Sequence, residues 1–281
     1  MAYKKILTIQ DVSCMGQCSL TVALPILSAC GMETCIIPSA VLSTHTGGFS
    51  GFTFRDLTDD IPLIQAHWQK EGILFDAIYT GYLGSTKQIE YVKSILDTMG
   101  TSECIKVVDP AFADGGKLYP IFDDVYVKAM RTLCPSADIL LPNISEACFL
   151  TGIEYKEEYD EEYILSLIKG LVKLGCKTVV LTGVGYRAGF TGVVIYNNGD
   201  IEYYEHERVA KTCHGTGDVY ASTFVGAFLS GGKMYEAAAL AADYTVECIK
   251  KTQDDPKHWY GVKFELALPY LIDRLKEFSK H

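Results

Sequence analysis

The chain has 281 residues, a formal net charge of −10, 48% hydrophobic and 21% charged residues. That is a soluble globular composition, long enough for one large α/β domain, and the acidic balance with no Lys/Arg run beyond two residues excludes a general nucleic-acid binder. No apolar stretch approaches a membrane span, and the N-terminal apolar run is too brief for a signal segment. The ten cysteines are scattered without zinc-site spacing and fit buried thiols of a cytoplasmic protein.

In chain order, Ile6–Ile9 reads as a buried strand ending in a polar loop, Gln10-Asp11-Val12-Ser13. Ser19–Cys30 has helical composition, with Pro25 deep enough to predict a kink or a late start. Thr34–Ile37 is a strand, and Ser43–Gly51 a polar, glycine-rich loop of the kind that lies over a site. Ile61–Lys70 reads as a helix, then Asp76–Thr80 as a strand running into Gly81-Tyr82-Leu83-Gly84. Ser85 and Gln88 have capping-box spacing for a helix to Met99. Strand Lys106–Val108 ends in Asp109-Pro110, helix Asp123–Leu133 follows, and strand Ile139–Leu141 ends in Pro142-Asn143. Short helix Ser145–Leu150 closes at Gly152, and helix Glu161–Leu174 stops at Gly175. Strand Thr178–Leu181 ends in Thr182-Gly183. Val193–Tyr196 and Ile201–Tyr204 read as a β-hairpin. Two helices close the pattern, Val219–Leu229, apolar nearly all round and therefore buried, and Met234–Lys250.

Strands alternating with helices predict a mainly parallel sheet covered on both faces, an αβα sandwich forming a single domain over residues 1–281. Ligands in such sheets bind beyond the carboxyl ends of the strands. Asp11, Gly81, Asp109, Asn143 and Thr182 fall at those ends.

His214-Gly-Thr-Gly-Asp218 precedes the apolar helix. Two glycines around a small residue would aim backbone N–H groups and the positive helix end at one spot, a place for an anion. A carboxylate beside a phosphate site suits a group that takes a proton from an attacking hydroxyl. These residues serve equally as an ordinary helix start. Asp109 at a strand end suits hydrated Mg²⁺, Gly115-Gly116 would let its loop move, and Lys117 could bring charge to phosphate. Asn143 and Glu146 fit metal binding or a helix cap alike. Acids at 109, 146 and 218 with an amide turn suggest phosphoryl transfer. Neither G-x-x-x-x-G-K-[ST], nor G-x-G-x-x-G after the first strand, nor G-x-S-x-G occurs.

Gly215-Thr216-Gly217-Asp218 resembles the anion-hole and base motif of ribokinase-like kinases, and Asn143-Ile-Ser-Glu146 their N-x-x-E motif. Ser43-Thr-His45-Thr46-Gly47, Gly81-Tyr82-Leu83-Gly84-Ser85, Asp109-Pro110…Asp114-Gly-Gly-Lys117-Leu-Tyr119 and Pro142-Asn143…Gly152 look like the pyridoxal kinases of that superfamily, in order over almost the whole chain. The resemblance implies a ribokinase-like three-layer αβα fold and ATP-dependent phosphorylation of the 5-hydroxymethyl group of pyridoxal, pyridoxine or pyridoxamine. By motif, Asp218 would be the base. Gly215, Thr216 and Gly217 would hold the transferring phosphoryl, and Asp109 and Glu146 would organise Mg²⁺. Asp114, Lys117 and Tyr119 would close over ATP, with Asn143, Thr182 and Gly183 near it. Asp11, Ser13, His45, Thr46 and Tyr82 would line the ring pocket. The resemblance further implies a homodimer and a monovalent cation such as K⁺.

This chain departs from many pyridoxal kinases, which have Ile-Gln-Ser where Ile9-Gln10-Asp11 stands. A carboxylate there would favour a protonated ring nitrogen or a different ring. His214 agrees instead with hydroxymethylpyrimidine kinases, whose motif typically reads His-Gly-Thr-Gly-Cys, and Cys213 falls where a thiol could meet a substrate aldehyde. A non-catalytic ligand-binding member of the fold is the remaining alternative.

Overall fold

A computed structural model describes residues 3–210 and 213–278. One nine-stranded sheet runs through them: β1 (Lys5–Ser13), β2 (Glu33–Leu42), β3 (Phe54–Asp56), β4 (Phe75–Thr80), β5 (Gly100–Val108), β8 (Ile139–Leu140), β9 (Thr178–Val184), β10 (Phe190–Asn197) and β11 (Asp200–Glu207). The strand order is β11-β10-β9-β8-β5-β4-β1-β2-β3. The six strands from β2 to β9 are parallel, while β3 and the β10–β11 hairpin are antiparallel edges. β6 (Ala113–Asp114) and β7 (Lys117–Leu118) form a separate two-stranded hairpin.

Strand alternation divides the core in two. Leu7, Ile9, Ile78, Val108, Leu140, Val179 and Leu181 face one helical layer, α2 (Ile61–Lys70), α3 (Thr86–Thr98), α4 (Asp124–Leu133), α5 (Ile144–Thr151) and α6 (Glu161–Lys173). Ile6, Ala77, Tyr79, Val107, Ile139 and Val180 face the other, α1 (Leu20–Ala29), α7 (Thr216–Leu229), α8 (Met234–Thr252) and α9 (Leu268–Phe278). The period-2 pattern of a sheet buried on both faces thus produces three layers. The direction of chain travel reverses between β1 and β4, so the crevice beyond their carboxyl ends is the natural ligand site.

Several boundaries differ from the sequence expectation. β1 continues to Ser13, so Asp11 and Ser13 sit on the strand; an irregularity between Gln10 and Val12 keeps its pairing with β2. β9 continues to Val184, carrying Thr182 and Gly183, because β10 pairs with it antiparallel. α1 starts at Leu20 with Pro25 in its interior, so the late start does not occur. α7 begins at Thr216, placing Gly217 and Asp218 in its first turn. Gln88 lends its side-chain oxygen to the Gly84 N–H, one residue upstream of the Ser85 cap. The short edge β3 and amphipathic α9 were not anticipated.

The anion turn stands on α7, which is buried from Val219 through Ala227. Phe224 is fully buried there and stacks on Phe228. Phe224→Ala should cost about 3–5 kcal/mol of unfolding free energy, measured by urea denaturation.

Candidate active site

Gly215 is the N-cap of α7 at φ 75, and its side-chain position is closed: a Cβ there would lie 1.8 Å from the Gln17 carbonyl oxygen. Only glycine fits this approach and this backbone conformation. No side chain caps the helix, and its first internal bond is Val219 N–H to Gly215 O. The N–H groups of Thr216, Gly217 and Asp218 therefore have no partner inside the helix, and open space lies beside Gly217. This is the amide arrangement that binds anions at helix starts.

Asp218 follows on the same turn. Burial pushes its carboxyl up to about 7; the Ser19 N–H opposes that shift, and the neighbouring Asp11 adds to it. Ser19 holds φ 53, unusual for a residue with a side chain. The segment 14–19 thus bends around the turn, with Gln17 against Gly215 and Ser19 against Asp218.

Asp109 and Glu146 meet Asp218 from the other strand ends. Asp109 is held well above the usual carboxylate range by burial, by Glu146 and by Asp218. Glu146, 2% exposed, rises to about 8 through burial, although the N–H groups of Asn143, Phe112 and Ala113 stabilise its charged form. Its two oxygens accept from Phe112 N–H at 3.0 Å and Asn143 N–H at 2.9 Å. In return the Glu146 N–H donates to Asn143 Oδ1, so the motif is also a full capping box. Metal binding and capping are therefore compatible here. Three carboxyls crowded into one low-dielectric corner repel one another, and a divalent cation would relieve that repulsion. Among the described residues no group of three His, Cys, Asp or Glu side chains forms a ready metal cage. The donor set instead suits a Mg²⁺ that keeps waters and takes further oxygens from phosphate.

The hairpin β6–β7 lies over this corner. Asn143 Nδ2 donates to Ala113 O at 2.8 Å. Asp114 and Lys117 are exposed on the hairpin. Tyr119, just beyond it, is partly exposed, and its phenol is raised by burial and then by the charges of Glu146, Asp114, Asp218 and Asp109. Thr182 pairs its backbone with Asn143, and Gly183 follows at φ 77.

On the opposite side, Asp11 is 5% exposed and accepts from Ser13 Oγ at 3.0 Å. Burial raises its carboxyl, and the hydroxyls of Ser19 and Ser13 work against that. Tyr82 is raised by burial and by the charges of Asp11 and Asp56. His45 behaves otherwise. Its Nδ1 accepts from Gly47 N–H at 3.0 Å, so Nε2 carries the proton and donates to Tyr260 O at 2.6 Å. Both ring nitrogens are thus engaged with backbone, and the ring packs on Phe49 and His214. Thr46 is exposed on the same loop, whereas the neighbouring Thr44 Oγ1 is buried without a hydrogen-bond partner. Ser19, Gln17 and Ser145 were missed by sequence reasoning, since no local pattern marks residues whose role is a distant backbone contact. A cavity of about 530 Å³ lies elsewhere, between β11 and α8, lined by His206, Arg208, Asp243, Glu247, Lys250 and Tyr270. None of the strand-end acids lines it.

The arrangement has known counterparts. A Bacteroides thetaiotaomicron protein described as a phosphomethylpyrimidine kinase, crystallised in a form with pyridoxal, is 35% identical with a TM-score of 0.90, covering 96% of both chains. The pyridoxal kinase of Lactobacillus plantarum is 32% identical with a TM-score of 0.90, covering 98% of this chain and 99% of that one. The hydroxymethylpyrimidine/phosphomethylpyrimidine kinase of Bacillus subtilis is 25% identical over 217 residues, 76% of this chain and 77% of its own. The Phosphomethylpyrimidine kinase family pattern matches residues 24–262. This chain, an αβα sandwich matched to those relatives over nearly its whole length, is therefore a kinase of the Phosphomethylpyrimidine kinase family.

Proposed function

We infer that this kinase uses ATP and Mg²⁺ to phosphorylate the 5-hydroxymethyl group of pyridoxal, pyridoxine or pyridoxamine, in salvage of the phosphorylated cofactor. The observation that carries the reading is the start of α7: N–H groups with no partner inside the helix beside a carboxyl raised to about 7. Phosphoryl transfer asks for those two things together, donors for the charge on the moving group and a base for the acceptor hydroxyl.

In this reading Asp218 takes the hydroxyl proton, and the N–H groups of Gly215, Thr216 and Gly217 hold the phosphoryl oxygens. Asp109 would hold Mg²⁺ directly and Glu146 through water; when bound, the ion neutralises phosphate charge. Asp114, Lys117 and Tyr119 cover the nucleotide, with Asn143, Thr182 and Gly183 beside it. Asp11, Ser13 and Tyr82 face the ring. His45, committed to Tyr260 and Gly47, shapes the loop that carries Thr46 over the pocket. A monovalent cation such as K⁺, a homodimer, a cytoplasmic location and action as one domain belong to the same proposal.

A second reading, hydroxymethylpyrimidine kinase, is favoured by His214, whose ring fills the space beside Gly47 at the mouth of the site. An ATP/Mg²⁺ assay over the three vitamers, hydroxymethylpyrimidine and ribose separates the readings. We expect the vitamers to have the higher kcat/KM; a preference for the pyrimidine would overturn the assignment. In the same assay Asp218→Asn should lower kcat by about 10²–10⁴-fold.

Asp11→Ser should change the order of KM among the vitamers, because it exchanges a group that can accept from a protonated ring nitrogen for one that does so far less well; an unchanged order would remove Asp11 from the pocket. The raised carboxyl of Asp218 also has a cost to folding. Its pKa is higher folded, about 7, than the ordinary 3.8, so its stabilising contribution is complete below pH 3.8 and lost as pH rises to about 7. The Tm advantage of Asp218→Asn over the wild type, without metal or nucleotide, should therefore widen from pH 4 to pH 7 and then level off, as read by calorimetry.

A further inference from the structure

Ser145 sits between Asn143 and Glu146 in the first turn of α5, yet its side chain does not serve that helix. Asn143 supplies the cap. Ser145 is 3% exposed, and its Oγ accepts from the Gly116 N–H at 2.8 Å, reaching across to the tip of the β6–β7 hairpin. The base of that hairpin is tied down separately, by Asn143 Nδ2 to Ala113 O and by Phe112 N–H to Glu146 Oε1. The tip has no comparable set of bonds. Two strands of two residues each cannot hold themselves in place. Gly116 is at φ 73, and a Cβ there would fall 2.5 Å from the Tyr155 ring, so the amide reaches Ser145 only because this residue has no side chain.

We propose that Ser145 is a positioning residue that latches the β6–β7 hairpin over the strand-end acids through the Gly116 N–H, fixing Lys117 and Tyr119 in their working positions. The latch rests on the kinase reading for its purpose but not for its existence. Released at the tip and held at the base, the hairpin swings on the Phe112–Ala113 attachment. Phosphate donor then enters, and relatching excludes water from the acids and the transferring group. The same turn of α5 thus contributes a cap, a candidate metal carboxylate and the lid latch at consecutive functional positions.

The test compares wild type, Ser145→Ala and Ser145→Thr by amide hydrogen exchange at residue 116 and by kinetics with ATP and pyridoxal. One net hydrogen bond corresponds to about two- to tenfold in an equilibrium. Ser145→Ala should accelerate exchange at residue 116 by that factor and raise KM for ATP similarly. It should also increase ATP hydrolysis without acceptor relative to transfer, while Ser145→Thr keeps all three near wild type. Gly116→Ala, which undocks the tip from the hairpin side and leaves α5 intact, should reproduce the KM rise should Ser145→Ala fold poorly. Unchanged exchange at residue 116 in a folded Ser145→Ala protein would overturn the latch. Failure of the wild type to phosphorylate pyridoxal would overturn the pyridoxal assignment, leaving the exchange result to judge the latch alone.

Discussion

Asp109, Glu146 and Asp218 are brought to one buried corner by three different elements, β5, α5 and α7; burial raises each carboxyl, and Asp109 is raised further by the charges of the other two. Like charges in low dielectric are destabilising, so the surrounding backbone is arranged to receive negative charge. Glu146 takes N–H groups from Asn143, Phe112 and Ala113, Asp109 takes one from Ala111, and Asp218 takes one from Ser19. Two of those donors, Ala111 at φ 45 and Ser19 at φ 53, hold backbone conformations that are strained for residues with side chains. The strain is stored where the acids are. Metal and triphosphate together would reverse the sign of the problem, since the corner that repels its own carboxyls attracts a cation, and the amide turn beside it attracts the anion that the cation carries.

This constraint explains the placement of the moving and fixed parts. The amide turn is the start of a helix buried over most of its length between α1 and α8, so its N–H groups cannot drift. Preorganised donors of this kind supply electrostatic stabilisation without reorganising during reaction. The hairpin, by contrast, is small and docked by a few bonds, as a cover over a site that must exchange nucleotide needs to be. Rigid scaffold and detachable cover meet at α5, whose first turn touches both.

The period of the hydrophobic pattern made the layered fold legible, and α2 matches its expected span of Ile61–Lys70. Gly152 closes α5 as its position suggested, and it does so in the left-handed conformation. The strand ends pointed to the site because a parallel sheet gathers them at one edge. Boundaries set by tertiary pairing were not legible: β1 and β9 run on through polar residues because a neighbouring strand accepts their backbone bonds. The same holds for side chains. His45 carries a suggestive identity, but its ring nitrogens are committed to Tyr260 and Gly47, residues remote or adjacent in ways that spacing does not reveal. Ser145 lies inside a recognisable motif at a position the motif leaves unspecified, and only the fold brings Gly116 to it.

Asp11 shows how burial alters the meaning of a substitution read from sequence. A carboxylate in place of the serine common among pyridoxal kinases suggests a fixed negative charge against the ring. Its environment pushes the other way, raising the carboxyl by burial while Ser13 and Ser19 offset part of the shift. A carboxyl can, when protonated, donate to a neutral ring nitrogen, as a serine hydroxyl does, or, when ionised, accept from a protonated nitrogen, which serine does far less well. In the proposed reaction the side chain follows the protonation state of the ring it meets. It therefore rewards a ring whose nitrogen protonates readily, and a pyridine does so more readily than a pyrimidine of similar shape. Within a family whose members bear both kinase names, that chemical difference at Asp11 is the part of the proposal that favours the pyridine acceptor, while the motif resemblance of His214 is the part that favours the pyrimidine.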